Sequence, residues 1–256
     1  MSHIHIDRLF KTYPGNPPVR ALENVQLDIA PGEFVALLGP SGCGKSTLLN
    51  AVASFEKISS GTLTVGGKFN EAPGPDRGVV FQEAALFPWL TVWENIIFGP
   101  KAQGLSPADY EGHALEMLGI MGLSDFKDHL PIQLSGGMRQ RVGIARVLTL
   151  GSKILLMDEP FGALDAQTRL SMQELLLSVW DRLKPTIIFV THDIDEALFL
   201  ADKVYVMSAR PGRIESMLEV KLPRPRTIEV TATPAFNAMK LSILHKIRGH
   251  LPAVPG

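Results

Sequence analysis

Gly39-Pro-Ser-Gly-Cys-Gly-Lys-Ser-Thr47 follows directly on Glu33-Phe-Val-Ala-Leu-Leu38. The first stretch satisfies G-x-x-x-x-G-K-[ST], and the second reads as a buried strand. A loop that wraps a polyphosphate turns its own N–H groups inward. It therefore needs glycine wherever a side chain would block close approach or φ must be positive. Gly39, Gly42 and Gly44 meet that need, with Pro40, Ser41 and Cys43 supplying backbone between them. Lys45 can then reach the β- and γ-phosphates as a point charge. The Ser46 hydroxyl can ligate Mg2+, Thr47 adds a phosphate contact, and the helix beyond aims its positive N-terminus at the anion. A Gly-rich turn between strand and helix is the bland alternative; the preceding strand and the apolar continuation Leu48-Leu49 weigh against it. The motif alone says only that a nucleotide phosphate is held.

The chain has 256 residues, 45% of them hydrophobic, enough for one large domain or a domain with a lobe. A formal net charge of -1 gives no electrostatic reason to expect nucleic acid as a partner. The single cysteine, Cys43, excludes an internal disulfide framework and a cysteine-cluster metal site. It reads either as a thiol whose modification blocks nucleotide or as a small residue tolerated in the loop, and the second reading is preferred. Met1 to Asp7 lacks a basic region followed by an apolar core, so no secretory leader is expected. No apolar run approaches the roughly 18 residues that cross a bilayer.

Upstream of the loop, Ile4–Leu9 and Leu22–Ile29 alternate apolar and polar around the turn-rich Pro14–Pro18, which predicts an antiparallel sheet at the edge. Tyr13, expected at that turn, is either a ring for stacking on a base or a loop aromatic. Downstream, Gly61–Val65 and Gly78–Phe81 read as strands. Gln82 can offer its carbonyl to Mg2+ or to attacking water, or merely cap a strand end. Leu86-Phe-Pro-Trp-Leu90 is an exposed contact surface or a core plug.

Ser106-Pro107 opens a helix whose inward stripe is read as Ala114, Leu115, Leu118 and Met121. A mainly helical segment continues to about Leu150, with His113 and His129 as ordinary lobe residues. Within it Leu134-Ser-Gly-Gly-Met-Arg-Gln140 places Ser135, Gly136 and Gly137 at a helix N-terminus, a second anion-binding surface or simply a flexible helix entry. Lys153–Met157 is a continuous apolar strand with Asp158-Glu159 at its carboxyl end, where open α/β sheets place ligands. Asp158 fits a partner of Mg2+ through water, and Glu159 a residue that aligns the attacking water or accepts its proton. Asp165 caps a helix whose Met172, Leu175, Leu176, Val179 and Leu183 are read as core. His192, after the strand Thr186–Val190, is placed to touch a γ-phosphate.

From Ile4 to about Pro223 this order of motifs resembles an ATP-binding-cassette ATPase. Gly39–Thr47 is similar to that family's phosphate loop, Gln82 to its glutamine loop, and Leu134–Gln140 to its signature. Ile154–Glu159 is similar to its second acidic motif, Gly162–Asp165 to the loop after it, His192 to its switch histidine and Tyr13 to its base-stacking aromatic. Pro73–Gln82, Asp158–Asp165 and Met207–Ile214 further resemble the nitrate, sulfonate and taurine importer branch. One departure is Ser54, where glycine is expected.

The resemblance implies an α/β P-loop core with a mainly parallel sheet, an antiparallel N-terminal edge and a helical subdomain inserted at about 90–150. It implies an ATPase domain over 1–226 and a short helical tail over 227–256. It also implies ATP and Mg2+, the latter on Ser46, Gln82 and Asp158, with Lys45, Gln82, Glu159 and His192 in catalysis. Ser135, Gly136, Gly137, Gln140 and Asp165 complete the nucleotide contacts, in a homodimer whose second copy closes each site. Two permease subunits are expected to dock near Gln82 to Trp89, with an extracytoplasmic solute-binding protein in the whole system. The chain is then peripheral on the cytoplasmic face of the membrane. The rival readings are a soluble cassette of translation or DNA repair, and a small-molecule kinase.

Overall fold

The computed structural model describes residues 2–208 and 210–248, so the last residues of the expected tail, 249–256, lie outside the described residues. The chain forms two compact units, one from residues 2–73 with 186–248 and one from 74–185.

In the first unit β1 (Ile4–Tyr13) and β2 (Val19–Ile29) pair antiparallel, with Ile4 opposite Ile29 and Ile6 opposite Leu27. This is the sheet that the alternation predicts, and the apolar positions Ile4, Ile6, Leu9, Val25, Leu27 and Ile29 are its buried face. Tyr13 departs from expectation: it ends β1 opposite Val19 and does not lie in the turn, because pairing runs four residues beyond Leu9. β4 (Ser60–Val65) and β5 (Lys68–Phe69) complete this sheet in the order β2-β1-β4-β5.

The second sheet of the unit is built on β3 (Phe34–Leu38), every residue of which is buried. β3 runs parallel to β8 (Thr186–Thr191) on one side and β9 (Lys203–Met207) on the other, and β10 (Ile214–Glu219) pairs antiparallel with β9. With every residue buried, β3 has neither face in solvent, hence its unbroken apolar run. Helices α1 (Lys45–Val52), α6 (Ile194–Leu200) and α7 (Pro234–Arg248) belong to the same unit. The C-terminal segment is fastened to α6 by Arg226, whose guanidinium donates to the carbonyls of Leu198, Phe199 and Ala201 at 3.2, 3.2 and 2.7 Å. Burial pulls its pKa down to about 10, still cationic at neutral pH and suited to the negative end of the helix.

In the second unit β6 (Arg77–Val80) and β7 (Ile154–Asp158) pair in parallel, and α2 (Val92–Ala102), α3 (Pro107–Ile120) and α4 (Gly136–Thr149) lie between them in the chain. α5 (Ala166–Leu183) follows β7. Two core assignments are corrected. Leu115 is 50% exposed, because the buried face of α3 runs through Tyr110, Ala114, Met117 and Leu118, and Leu115 lies about 100° around from Ala114. Leu183, the last residue of α5, is 37% exposed, while Met172, Leu176 and Val179 are buried as expected.

Ser54 stands where the sequence resemblance calls for glycine, and the structure supplies the reason for the preference. Its φ is 61°, and it terminates α1 in a Schellman arrangement: Ser54 N–H donates to Ala51 and Phe55 N–H to Asn50, at 3.1 and 2.9 Å. Its hydroxyl is buried with no hydrogen-bond partner among the described residues. Ser54→Gly should therefore stabilise the protein by about 0.5–1 kcal/mol, raising Tm by about 1–3 °C in a thermal melt. A lower Tm contradicts this account of the helix end.

Candidate functional site

The phosphate loop leaves β3 at Leu38 and enters α1 at Lys45, with Gly44 as the N-cap at φ 98°. Lys45 is buried, and its Nζ donates to the carbonyls of Gly39 and Pro40 at 2.7 and 3.0 Å. The ammonium is thus drawn into the ring of the loop. Ser41, Gly42 and Ser46 are exposed and Thr47 is half-buried, so the accessible face carries backbone and hydroxyls. No acidic residue in the first turn of α1 opposes its positive end. Cys43 is buried, and burial pushes its thiol up, away from the reactive thiolate, which favours the packing reading over the redox one.

The back of the loop is fixed by close approach to distant segments. A Cβ on Gly44 would lie 2.8 Å from Leu22 Cδ2, and one on Gly212 would lie 2.0 Å from the carbonyl oxygen of Cys43. Gly212 is in the turn joining β9 to β10; its N–H donates to Ala21 and its carbonyl accepts from Glu23, both at 2.9 Å. Sequence reasoning quoted this turn only as a likeness and missed Gly212 as part of the loop's seat.

His192 lies in the same unit. Leu38 of β3 and Thr191 of β8 are register partners, so the phosphate loop and His192 leave neighbouring parallel strands at the same end. His192 is exposed, and Asp193 behind it caps α6 by accepting from the N–H groups of Asp195 and Glu196 at 2.8 and 3.2 Å. Tyr13, also in this unit, is half-buried with Lys11 Nζ 4.6 Å from its ring centroid.

The second unit carries the remaining residues. Asp158 is the last residue of β7, and Glu159 follows it in the left-handed region at φ 44°, a conformation costly for a side-chain-bearing residue and found where function holds it. Gln82 lies two residues past β6; its Nε2 is 3.2 Å from where a Gly162 Cβ would stand, and Gly162 N–H bonds to Glu159 at 3.0 Å. Gln82 and the Glu159 turn are therefore neighbours. Ser135 caps α4, accepting from Met138 N–H at 3.2 Å, with Gly136 and Gly137 as the first helical residues. Gln140 is turned inward: its side chain is buried and donates to the Phe81 carbonyl at 3.0 Å, so it braces α4 against the strand end preceding Gln82. Asp165 caps α5, and its bonds from Thr168 and Gln167 hold its carboxyl below the usual range.

Beside these residues a groove of about 660 Å3 is lined by Gln82, Leu86, Pro131, Ile132, Arg139 and Leu164, among others. Trp89 is 71% exposed and Ile132 87%, so the Leu86–Leu90 stretch is not a core plug. Its conformation is set by Asn95, fully buried, which bonds the backbone of Phe87, Leu90 and Thr91 at 2.9 to 3.1 Å. Sequence reasoning missed Asn95; a polar residue on the inner face of a helix was the available signal.

A glycine loop with its lysine, a histidine at the neighbouring strand end and an acidic strand terminus define a P-loop nucleotide hydrolase of α/β architecture. The family model for ABC transporters matches residues 22–162, and the chain belongs to that family. A taurine import ATP-binding protein of Rhizobium johnstonii is 52% identical over 206 residues, 80% of this chain and 79% of the relative. A nitrate import ATP-binding protein of Synechocystis is 45% identical over 254 residues, 96% of each. Among solved structures, a dimeric ATP-binding cassette in a post-hydrolysis state with ADP and Pi is 33% identical with a TM-score of 0.74, over 86% of this chain and 100% of that one. The chain is accordingly an ATP-binding, ATP-hydrolysing cassette.

Gly212→Ala places a methyl group against the loop backbone and should weaken ATP binding by about tenfold or more in an equilibrium titration. Unchanged affinity contradicts the seat described for the loop.

Proposed function

We propose that this chain is the ATPase subunit of an importer for a small anion, with taurine, another sulfonate or nitrate as the solute class. The observation that carries this reading is identity of 45–52% to import ATP-binding proteins, in one case over 96% of both chains. The proposed assembly is a homodimer in which the Ser135–Gly137 surface of one copy closes over the phosphate loop of the other; the dimeric cassette among the similar structures supports it. Two permease subunits dock on the groove beside Trp89, and an extracytoplasmic solute-binding protein completes the system. Among the described residues no helix is long and apolar enough to cross a membrane; in the proposed assembly the chain sits at the cytoplasmic face, held by the permease.

In this reading Lys45 and the loop N–H groups hold the β- and γ-phosphates, Tyr13 stacks on the base, and His192 contacts the γ-phosphate. Water attacks the γ-phosphorus, Glu159 aligns it and takes its proton, and the bond to the ADP oxygen breaks. Ser46, Gln82 and Asp158 offer a hydroxyl, an amide carbonyl and a carboxylate, hard oxygen donors that fit Mg2+. When bound, Mg2+ supplies neutralisation of phosphate charge. ATP joins the two copies, and loss of the γ-phosphate releases them, so that closure pushes on the permease.

Glu159→Gln should lower turnover by about 10²- to 10⁴-fold while an ATP-bound dimer accumulates on a sizing column; rapid hydrolysis by this variant rules out the role given to Glu159. Trp89→Glu should leave ATPase activity of the isolated chain intact and abolish co-purification with an integral membrane protein. Co-purification that survives it places the docking surface elsewhere.

A further inference from the structure

The turn that seats the phosphate loop also carries a cation over it. A Cβ on Gly42 would lie 3.1 Å from Arg210 Nη2, 3.6 Å from Nε and 3.8 Å from Cζ, so the guanidinium presents its Nε–Nη2 edge to the loop at its fourth residue. Gly42 and Arg210 are both exposed. The charge is therefore at a solvent-exposed position of the loop, in which Ser41 and Ser46 are exposed as well.

The turn is built to hold that position. Ser208 and Arg213 close it, with Ser208 N–H bonding the Arg213 carbonyl at 3.0 Å, Ser208 Oγ donating to Pro211 at 3.0 Å and accepting from Arg213 N–H at 3.0 Å. Gly212 then anchors it to β2 and the Cys43 carbonyl, as described above. The two arginines of the turn are used differently. Arg213 is neutralised by Glu23 at 2.8 Å, whereas Arg210 makes no ion pair among the described residues. A guanidinium fixed beside a phosphate loop with no carboxylate of its own contributes its charge to whatever the loop holds.

We infer that Arg210 is a second cationic determinant of the nucleotide site, acting with Lys45 on the polyphosphate tail of the nucleotide. Lys45 serves from inside the loop, and Arg210 from a separate strand connection outside it. This inference rests on Gly39–Thr47 being the phosphate site.

Equilibrium titration of ATP, ADP and AMP into Arg210→Gln and Arg210→Lys tests it. Arg210→Gln should weaken ATP about fivefold, ADP less, and AMP hardly at all, and the gap from wild type should shrink as NaCl is raised. Arg210→Lys should recover most of the ATP affinity. A neutral variant that binds all three nucleotides as wild type does, or loses all three equally and independently of salt, overturns the inference, the latter marking a purely mechanical brace. Lys45→Ala run in parallel separates the two claims. If it loses ATP while Arg210→Gln does not, only the inference about Arg210 fails; if it retains ATP affinity, the phosphate-site reading fails and takes the inference with it.

Discussion

A loop that presents its N–H groups to a polyphosphate has nothing of its own to hold its other face, so it must be held by backbone packed closer than side chains allow. In this protein that packing is the contact of Gly212 with the Cys43 carbonyl and of Gly44 with Leu22. Four strands are committed to it: β3 delivers the loop, β2 backs its entry into α1, and β9 with β10 supplies the turn that presses on its middle. The complete burial of β3 follows from the same requirement, since a loop aimed to within a few tenths of an ångström needs a rigid strand beneath it.

The second unit uses a different economy. Its chemistry-bearing side chains are aimed by hydrogen bonds and a strained turn as well as by close approach at glycine. Glu159 sits at positive φ directly after β7, with Gln82 against the same turn. Gln140 ties α4 to the carbonyl next to Gln82, and Asn95 separately fixes the loop that carries the exposed Trp89.

Much of this was legible in the chain because it is local. Glu33–Leu38 announces a buried strand, Gly39–Thr47 a phosphate loop, Ser106-Pro107 and Asp165 helix starts, and Thr186–Val190 a strand with His192 just after it. Leu115 was misjudged because two adjacent leucine-like positions fit one amphipathic stripe until the packing of α3 selects Met117 instead, and Leu183 because a helix pattern does not say where the core stops. Gly212 and Arg210 were not legible at all, and Asn95 only as a polar residue on the inner face of a helix. Their roles arise from partners far away in the chain or from backbone carbonyls, which leave no spacing pattern. Gln140 belonged to a motif whose likeness pointed outward, and only the buried bond to Phe81 shows that it faces in.

The central claim is that the phosphate loop is half of a site completed by Ser135–Gly137 of a second copy. The direct measurement is ATPase activity in mixtures of two inactive chains, Lys45→Ala and Ser135→Arg, in the assembled transporter. A mixed dimer joins the intact loop of one chain to the intact signature surface of the other, so the mixture should regain a substantial fraction of wild-type turnover although neither variant alone has any. Activity in the mixture that stays at the mean of the two separate variants contradicts the composite site.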